Sequence, residues 1–315
     1  MTLNPDFGQV ESDDVIVSFD ATETFYDDKR PFFTENQSLF SITGWRLYLI
    51  NTRRIGGSPD YNCDTLKENL IERCKSENRS SSDIDVALRY TQKEKENEFG
   101  VFSAFERDDP LYQGRNFQAI RYRRIFDEGK VGYMLTYADK PNISRTAQVH
   151  TMDYEYSIDR NTRLFGMVSY SEIDQLGVST EGAALRAVAS RVFNQKFSGL
   201  WALSVFDEGY DLNDMGYMEM KEYISTGWQA RYKESEFSES SPLRNLTLET
   251  NGGHQRSISG INGGGMGYFS LNLDFKDYSS VDLFCECILV PGKDYLETRG
   301  TVSYTHLRAH ETVMN

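Results

Sequence analysis

The chain has 315 residues, enough for one large β-domain or two ordinary domains, and its formal net charge is −14. This acidic balance argues against nucleic-acid binding, because phosphate contacts require a surplus of Lys and Arg. No stretch approaches the roughly 18 apolar residues of a transmembrane helix. A β-barrel is not excluded, since only alternate residues of its strands face lipid.

The first residues, Met1 to Asp6, have neither a basic start nor an apolar run, so they do not form a signal peptide. We therefore expect the sequence to begin inside a longer protein.

Residues 1–60 are predicted to be a barrel entry segment that contains the first strands, at 15–19 and 45–51, and plug elements. Between these strands, opposite charges cluster among aromatic residues, which favours a packed, hydrogen-bonded turn. A structural ion-pair network that closes the barrel or braces a plug is predicted from Asp27, Asp28, Lys29, Arg30, Glu35, Arg53 and Arg54.

Residues 61–82 are predicted to be a loop with a short helix. Cys63 and Cys74 flank the helical stretch, residues 66–72. In an oxidising compartment the two cysteines can form a disulfide. Two free thiols are an equally weighted alternative.

From residue 83 to residue 300 the hydrophobic period is two, which predicts antiparallel strands. In residues 152–158, for example, Met152, Tyr154, Tyr156 and Ile158 alternate with Asp153, Glu155 and Ser157. We expect roughly twelve strands between Asp83 and Val290, with lengths near the ~9–11 residues that cross a bilayer.

The predicted connections alternate between short and long. Short turns are expected at 93–97, 127–130, 159–162 and 194–197, and long loops at 107–115, 139–146, 171–181, 207–221 and 251–266. Outer-membrane barrels show this rhythm. The predicted fold is an all-β, antiparallel, up-and-down transmembrane β-barrel that is incomplete in this chain. A soluble β-sandwich or β-solenoid also alternates faces and is the competing interpretation.

Two groups of polar residues are candidate sites. Opposite charges on facing walls are common in pores, so a lumen lining is predicted from Arg121, Arg123, Asp153 and Glu155. Oxygen ligands near a turn glycine suit Ca²⁺, so a calcium site is considered at Asp207, Asp211, Asn213 and Asp214. An ordinary solvated outer loop is the simpler interpretation of the second group, and no other cofactor is expected.

The remaining residues indicate no catalysis. His150 and His254 are too few for a His-rich metal site. Cys285 and Cys287 are expected to be small apolar fillers on one strand face. The glycine-rich residues 252–265 lack the Lys-Ser/Thr of a phosphate-binding loop and predict a mobile loop. We assign no catalytic residue.

Several motifs resemble a family of uncharacterised bacterial proteins. The most specific are residues 4–13 (Asn-Pro-Asp-Phe-Gly-Gln-Val-Glu-Ser-Asp) and 23–33 (Glu-Thr-Phe-Tyr-Asp-Asp-Lys-Arg-Pro-Phe-Phe), and the resemblance continues at 53–56, 121–124 and 211–218. In that family a module similar to family-9 carbohydrate-binding modules precedes a domain of unknown function. That domain is believed to be an outer-membrane β-barrel.

The resemblance, which covers about residues 2 to 300, implies an outer-membrane location, lipid contact and a saccharide as a candidate ligand. We expect solute or saccharide passage or docking. A surface glycan hydrolase and a soluble β-rich binding protein are the alternatives.

The last segment, residues 301–315, is expected to be non-native. Residues 302–312 (Val-Ser-Tyr-Thr-His-Leu-Arg-Ala-His-Glu-Thr) resemble a translated sequencing adaptor. No chemistry is therefore inferred from His306 or His310.

Overall fold

Alternating Tyr, Phe, Val and Ile residues extend the chain into strands, because branched and aromatic side chains pack well on a pleated surface. The computed structural model describes residues 2–3, 28–34, 37–42, 47–76, 81–294 and 302–303. Its strands are β1 (Thr2–Leu3), β2 (Leu47–Tyr48), β3 (Ile84–Lys93), β4 (Asn97–Glu106), β5 (Asn116–Phe126), β6 (Gly129–Lys140), β7 (Arg145–Ser157), β8 (Thr162–Gln175), β9 (Val178–Val192), β10 (Phe197–Phe206), β11 (Tyr217–Met218), β12 (Tyr223–Glu234), β13 (Leu243–Ser257), β14 (Asn262–Phe275), β15 (Ser280–Val290), β16 (Lys293–Asp294) and β17 (Val302–Ser303).

Helices are few and short. The α-helices are α1 (Pro31–Thr34) and α2 (Glu68–Ser76), and 3-10 turns occur at Gln37–Leu39, Thr52–Arg54, Cys63–Thr65 and Pro141–Ile143. The predicted helix at 66–72 therefore starts and ends a few residues later than expected. The predicted strand at 45–51 shortens to β2, and the one at 15–19 lies outside the described residues.

The chain divides into two compact units, of which the first comprises residues 1–19, 23–188 and 205–222. Its sheet has the hydrogen-bonded order β1-β3-β4-β5-β6-β7-β8-β9. The pairs from β3 to β8 are antiparallel and adjacent in sequence. This up-and-down order confirms the predicted all-β, antiparallel fold.

The second unit comprises residues 20–22, 189–204 and 223–315. Its long strands follow the order β10-β12-β13-β14-β15, with antiparallel pairing from β12 to β15. Every residue of β15 is exposed. Among the described residues neither run of strands closes on itself, as predicted for an incomplete barrel.

Two of the five predicted long loops are correct, at 107–115 and 207–221, and three are wrong. Residues 139–146 shorten to a four-residue connection, and the glycine-rich residues 252–265 lie mostly within β13 and β14. Between β8 and β9 the connection is only Leu176 and Gly177. Both have positive φ, at 56° and 78°, which suits a tight hairpin turn and lets the strands run on.

The sheet of the first unit has two unlike faces. One face, which we call the packed face, carries Phe102, Phe117, Arg121, Thr151 and Ser169, all nearly fully buried. The opposite face, the outer face, carries exposed large apolar side chains: Leu88, Tyr90, Phe99, Phe105, Ile120, Tyr122, Phe126, Val131, Tyr133, Met152, Tyr156, Val168, Tyr170 and Leu185. Large apolar side chains are therefore exposed on the outer face, while the packed face encloses both apolar and polar side chains.

Two chain segments lie against the packed face, and we call their described residues, 28–34, 37–42, 47–58 and 207–222, the inner layer. They are joined by the antiparallel pair β2 and β11, with Tyr48 opposite Tyr217. The buried apolar side chains of the inner layer are Phe33, Leu39, Leu47, Leu49, Ile55, Tyr210, Leu212, Met215 and Met218. Phe33 packs against Phe102 of the sheet, so the inner layer and the sheet share apolar contacts.

Residues 59–76, which follow the first segment of the inner layer in the chain, form an element that is held by a disulfide. Cys63 and Cys74 are bonded, with their Cα atoms 5.7 Å apart. Cys74 packs with Leu111 and Tyr112 of the long β4–β5 loop. The disulfide and this apolar cluster together fix α2 against that loop.

The inner layer approaches β9 so closely that only glycine fits at Gly182. A Cβ placed there would lie 2.0 Å from the Tyr210 backbone nitrogen, far inside van der Waals contact. Since the neighbouring atom is backbone, no side-chain rotation can relieve the clash.

We therefore expect Gly182→Ala to destabilise the folded protein by at least ~1–3 kcal/mol, as overpacking does. Gly227→Ala is the matched control, because the nearest atom there is 3.6 Å away. Denaturant titration of the folded protein measures both variants. Equal stability of the two variants would show that the inner layer does not rest on β9.

Candidate functional site

Arg121 joins the sheet to the inner layer. Its side chain, on β5, is completely buried, and its guanidinium forms two hydrogen bonds with the Asp153 carboxylate on β7. Its Nε donates to the Leu39 carbonyl at 3.1 Å. A buried arginine requires this degree of pairing, because an unpaired charge inside a protein is costly.

The strand between these partners accommodates the arginine. Gly132 of β6 lies opposite Arg123 on one side and Asp153 on the other. A Cβ at Gly132 would lie 2.5 Å from Arg121 Nη1, so the guanidinium occupies the space of the missing side chain. Glycine at this position lets one ion pair span three strands.

The other predicted lumen residues also form ion pairs on the packed face. Arg123 pairs with Glu98 on β4, and Glu155 pairs with Lys130 at 2.7 Å. Glu155 also pairs with Arg163, whose side chain is 60 % exposed. The four predicted residues therefore share one face, but only Arg121 and Asp153 bond to each other. Sequence reasoning missed Glu98 and Lys130, although both occupy alternating positions of their strands.

A cleft of about 500 Å³ lies beside these ion pairs, and we call it the turn-side cleft because Lys130 and Glu155 lie near the β5–β6 and β7–β8 turns. Ser41, Ile42 and Tyr48 of the inner layer form one wall. The strands contribute Arg123, Lys130, Asp153, Tyr154, Glu155, Phe165, Gly166, Met167, Arg186 and Val188. The volume is that of a small-molecule pocket.

The predicted N-terminal network centres on Arg30 and Asp28. The guanidinium of Arg30 bonds the Asp28 carboxylate and the carbonyls of Thr52 and Ile55, and the Thr52 hydroxyl also donates to Asp28. Burial alone would raise the pKa of Asp28, but the bonds from Arg30 and Thr52 outweigh it and lower this pKa.

The remaining members of that network lie elsewhere. Arg54 donates to the Gly216 carbonyl at 3.0 Å and so joins the two segments of the inner layer. Arg53 lies in the adjoining 3-10 turn, and Lys29 is exposed beside the Asp28–Arg30 pair. Asp27 and Glu35 fall outside the described residues.

A second ion cluster holds the 207–222 segment and includes carboxylates that the sequence suggested as calcium ligands. Asp214 is buried and bonds Arg145 at 2.7 Å and Lys140 at 2.9 Å. Asp211 bonds Lys221 and lies 3.6 Å from Arg145. Cationic side chains thus take up these carboxylate oxygens, and the described residues contain no group of acidic, His or Cys ligands arranged for a metal.

The other members of the calcium set also have structural roles. The Asn213 side chain accepts a hydrogen bond from the Met218 backbone, and the exposed Asp207 accepts one from the Glu208 backbone.

The pKa of Asp214 is shifted by the same two opposing effects as that of Asp28. Its burial raises the pKa, and the bonds from Arg145 and Lys140 more than reverse this and lower it.

The prediction for the two strand cysteines is wrong. Cys285 and Cys287 are exposed free thiols on β15, not buried apolar fillers. His150 is half-buried, and its Nδ1 lies 2.7 Å from the Tyr133 hydroxyl.

A family model matches residues 1–108 and 127–314 of the chain, and its description is "Domain of unknown function (DUF5916)". The chain belongs to the DUF5916 family. The resemblance read from the N-terminal motifs is therefore confirmed. A search of curated proteins finds no match to this DUF5916 chain.

Among solved structures, the chain is similar to the crystal structure of the Pseudomonas putida toluene transporter TodX. The identity is 10 %, the match covers 79 % of this chain and 93 % of that one, and the TM-score is 0.27. Such a low TM-score supports no inference about ligand or mechanism.

Removal of the Arg121 guanidinium would leave Asp153 buried and unpaired, so Arg121→Met is expected to cost about 3–5 kcal/mol of unfolding free energy. Arg163→Met is the control, since its exposed ion pair is worth under ~1 kcal/mol. Urea titration of the detergent-folded protein compares the two variants. Equal losses would contradict a special role for Arg121.

The lowered pKa values of Asp28 and Asp214 predict acid sensitivity. A carboxylate with a depressed folded-state pKa contributes stability above its unfolded pKa, near 3.8, and loses it as pH falls through the folded value. Stability should therefore fall below about pH 4. Asp214→Asn should flatten this pH dependence of stability, whereas Asp64→Asn, at an exposed position, should not. Unchanged pH profiles in both variants would refute the contribution of Asp214.

Proposed function

We propose that this protein is a bacterial outer-membrane β-barrel that passes or docks a polar solute beside its inner layer. One observation carries the proposal, the reversed polarity of the first unit. Met152 is 57 % exposed and Val168 is 54 % exposed on the outer face, whereas Arg121 and Thr151 are buried on the packed face. In water this arrangement is costly, and in a bilayer it is favourable.

Strand lengths support the same proposal. The strands from β3 to β9 contain 10 to 15 residues, and about 9–11 tilted residues cross a bilayer. None of the described helices is long and apolar enough to cross a membrane.

The inner layer limits what such a barrel could do. It is buried against the packed face and is tied there by Arg121, so passage of a solute would need either a gap beside it or its movement. The turn-side cleft is such a gap on the sheet's polar face. A saccharide is one solute of suitable polarity.

The alternatives have less support in the described structure. A retaining or inverting glycosidase needs two available carboxyl groups. In the cleft Asp153 and Glu155 are each bonded to cations. A soluble sandwich would place a second sheet on an apolar face, whereas here the apolar face of the first unit is exposed.

A charge at the middle of the outer face tests the membrane proposal. Val168→Lys lies at the centre of β8 and should cost ~2–4 kcal/mol of folding free energy in lipid, while Val131→Lys, on the same outer face near the start of β6, should cost ~0–1 kcal/mol. Both are exposed valines, so the control matches in residue type and substitution. Folding into lipid vesicles, followed by urea titration, measures the difference.

Cell fractionation of the full-length protein provides the second measurement. The proposal expects the protein in the outer-membrane fraction and extractable only with detergent. Recovery as a soluble periplasmic protein, with equal stability of the two Lys variants, would overturn it.

A further inference from the structure

The turn-side cleft has a charge balance opposite to that of the whole chain. Arg123, Lys130 and Arg186 line it, against Asp153 and Glu155. Their ion-pair partners add Arg121 and Arg163 on the basic side and Glu98 on the acidic side. The described side chains that line the cleft thus include three basic and two acidic groups, in a chain of net charge −14.

The two acidic groups of the cleft differ in how they are held. Asp153 is 12 % exposed and bonded by the buried Arg121, so it belongs to the joint between sheet and inner layer. Glu155 is 28 % exposed and shared by Lys130 and Arg163, which are themselves 37 % and 60 % exposed. An incoming anion could therefore take the place of Glu155 beside cations that remain hydrated, at little desolvation cost.

Apolar surface lies next to these cations. Tyr48 of the inner layer and Phe165 of β8 line the same cleft. A flat ring can pack against such aromatic side chains while its charged group meets Lys130, which is the usual division between apolar body and polar anchors in ligand pockets.

We infer that the turn-side cleft binds a small ring compound that carries a carboxylate, through Lys130 with Glu155 as the competing internal anion. This inference deepens the proposed function, because it gives the solute a charge, and it rests on that function for its biological meaning.

Opposite effects of two substitutions test the inference. Lys130→Gln removes the anchoring cation and should weaken carboxylate binding about fivefold, the size of one exposed charge contact. Glu155→Gln removes the competing anion and should strengthen binding by a similar factor. A gain of affinity cannot result from misfolding. Lys95→Gln, in the exposed β3–β4 turn at the same end of the sheet, controls for net charge.

Isothermal titration of the detergent-folded protein with galacturonate, benzoate and galactose provides the readout. Binding of either acid, weakened by Lys130→Gln and strengthened by Glu155→Gln, supports the inference. The acid that binds more tightly shows whether the cleft prefers a sugar ring or an aromatic ring. Equal binding of galactose, no binding of either acid, or loss of affinity in Glu155→Gln would overturn it. Failure of membrane insertion would be seen separately by fractionation, and the titration would then be repeated without detergent.

Discussion

The bond between Arg121 and Asp153 is the contact on which the first unit depends. It spans β5, β6 and β7 on the packed face and reaches the Leu39 carbonyl of the inner layer. Because Arg121 is fully removed from water and Asp153 largely so, loss of either partner is costly. The bond from the guanidinium to the Leu39 carbonyl also fixes that part of the inner layer on the sheet.

Another set of ion pairs joins the inner layer to the opposite end of the sheet. Asp214 places the 207–222 segment by accepting bonds from Arg145 and Lys140, and the Tyr210 hydroxyl donates to Ser169 at 2.8 Å. Apolar contacts also join the two layers, as between Phe33 and Phe102. The ion pairs and hydroxyl bonds add directional contacts to this apolar packing.

Sequence periodicity predicted the strands well, because alternation is a local property of each segment. It also placed Arg121, Arg123, Asp153 and Glu155 on one face, since odd-numbered residues of β5 and β7 share it. It could not predict their partners. Pairing of Arg121 with Asp153 depends on the register across β6 and on the space at Gly132. The sequence of a single strand determines neither of these.

The wrong loops have a physical cause as well. Acidic and glycine-rich stretches normally favour turns, but in this sheet β13 carries Gly252 and Gly253 in its interior. Glycine there leaves room for neighbouring side chains, since a Cβ at Gly252 would lie 3.0 Å from the Trp228 ring on β12, closer than ordinary van der Waals contact. Tertiary contact thus overrides the local preference of these residues.

The inner layer could not be recognised from alternation, since it has almost none. Its signal was the density of opposite charges among aromatic residues, which indicated a packed turn at Asp28 and Arg30. For the second segment, residues 207–222, the sequence favoured a solvated outer loop, with a calcium site as the alternative because oxygen ligands lie near a turn glycine. Acidic side chains near a turn can bind either a metal ion or a basic side chain. The sequence alone does not show that the strands bring Arg145 and Lys140 beside Asp214.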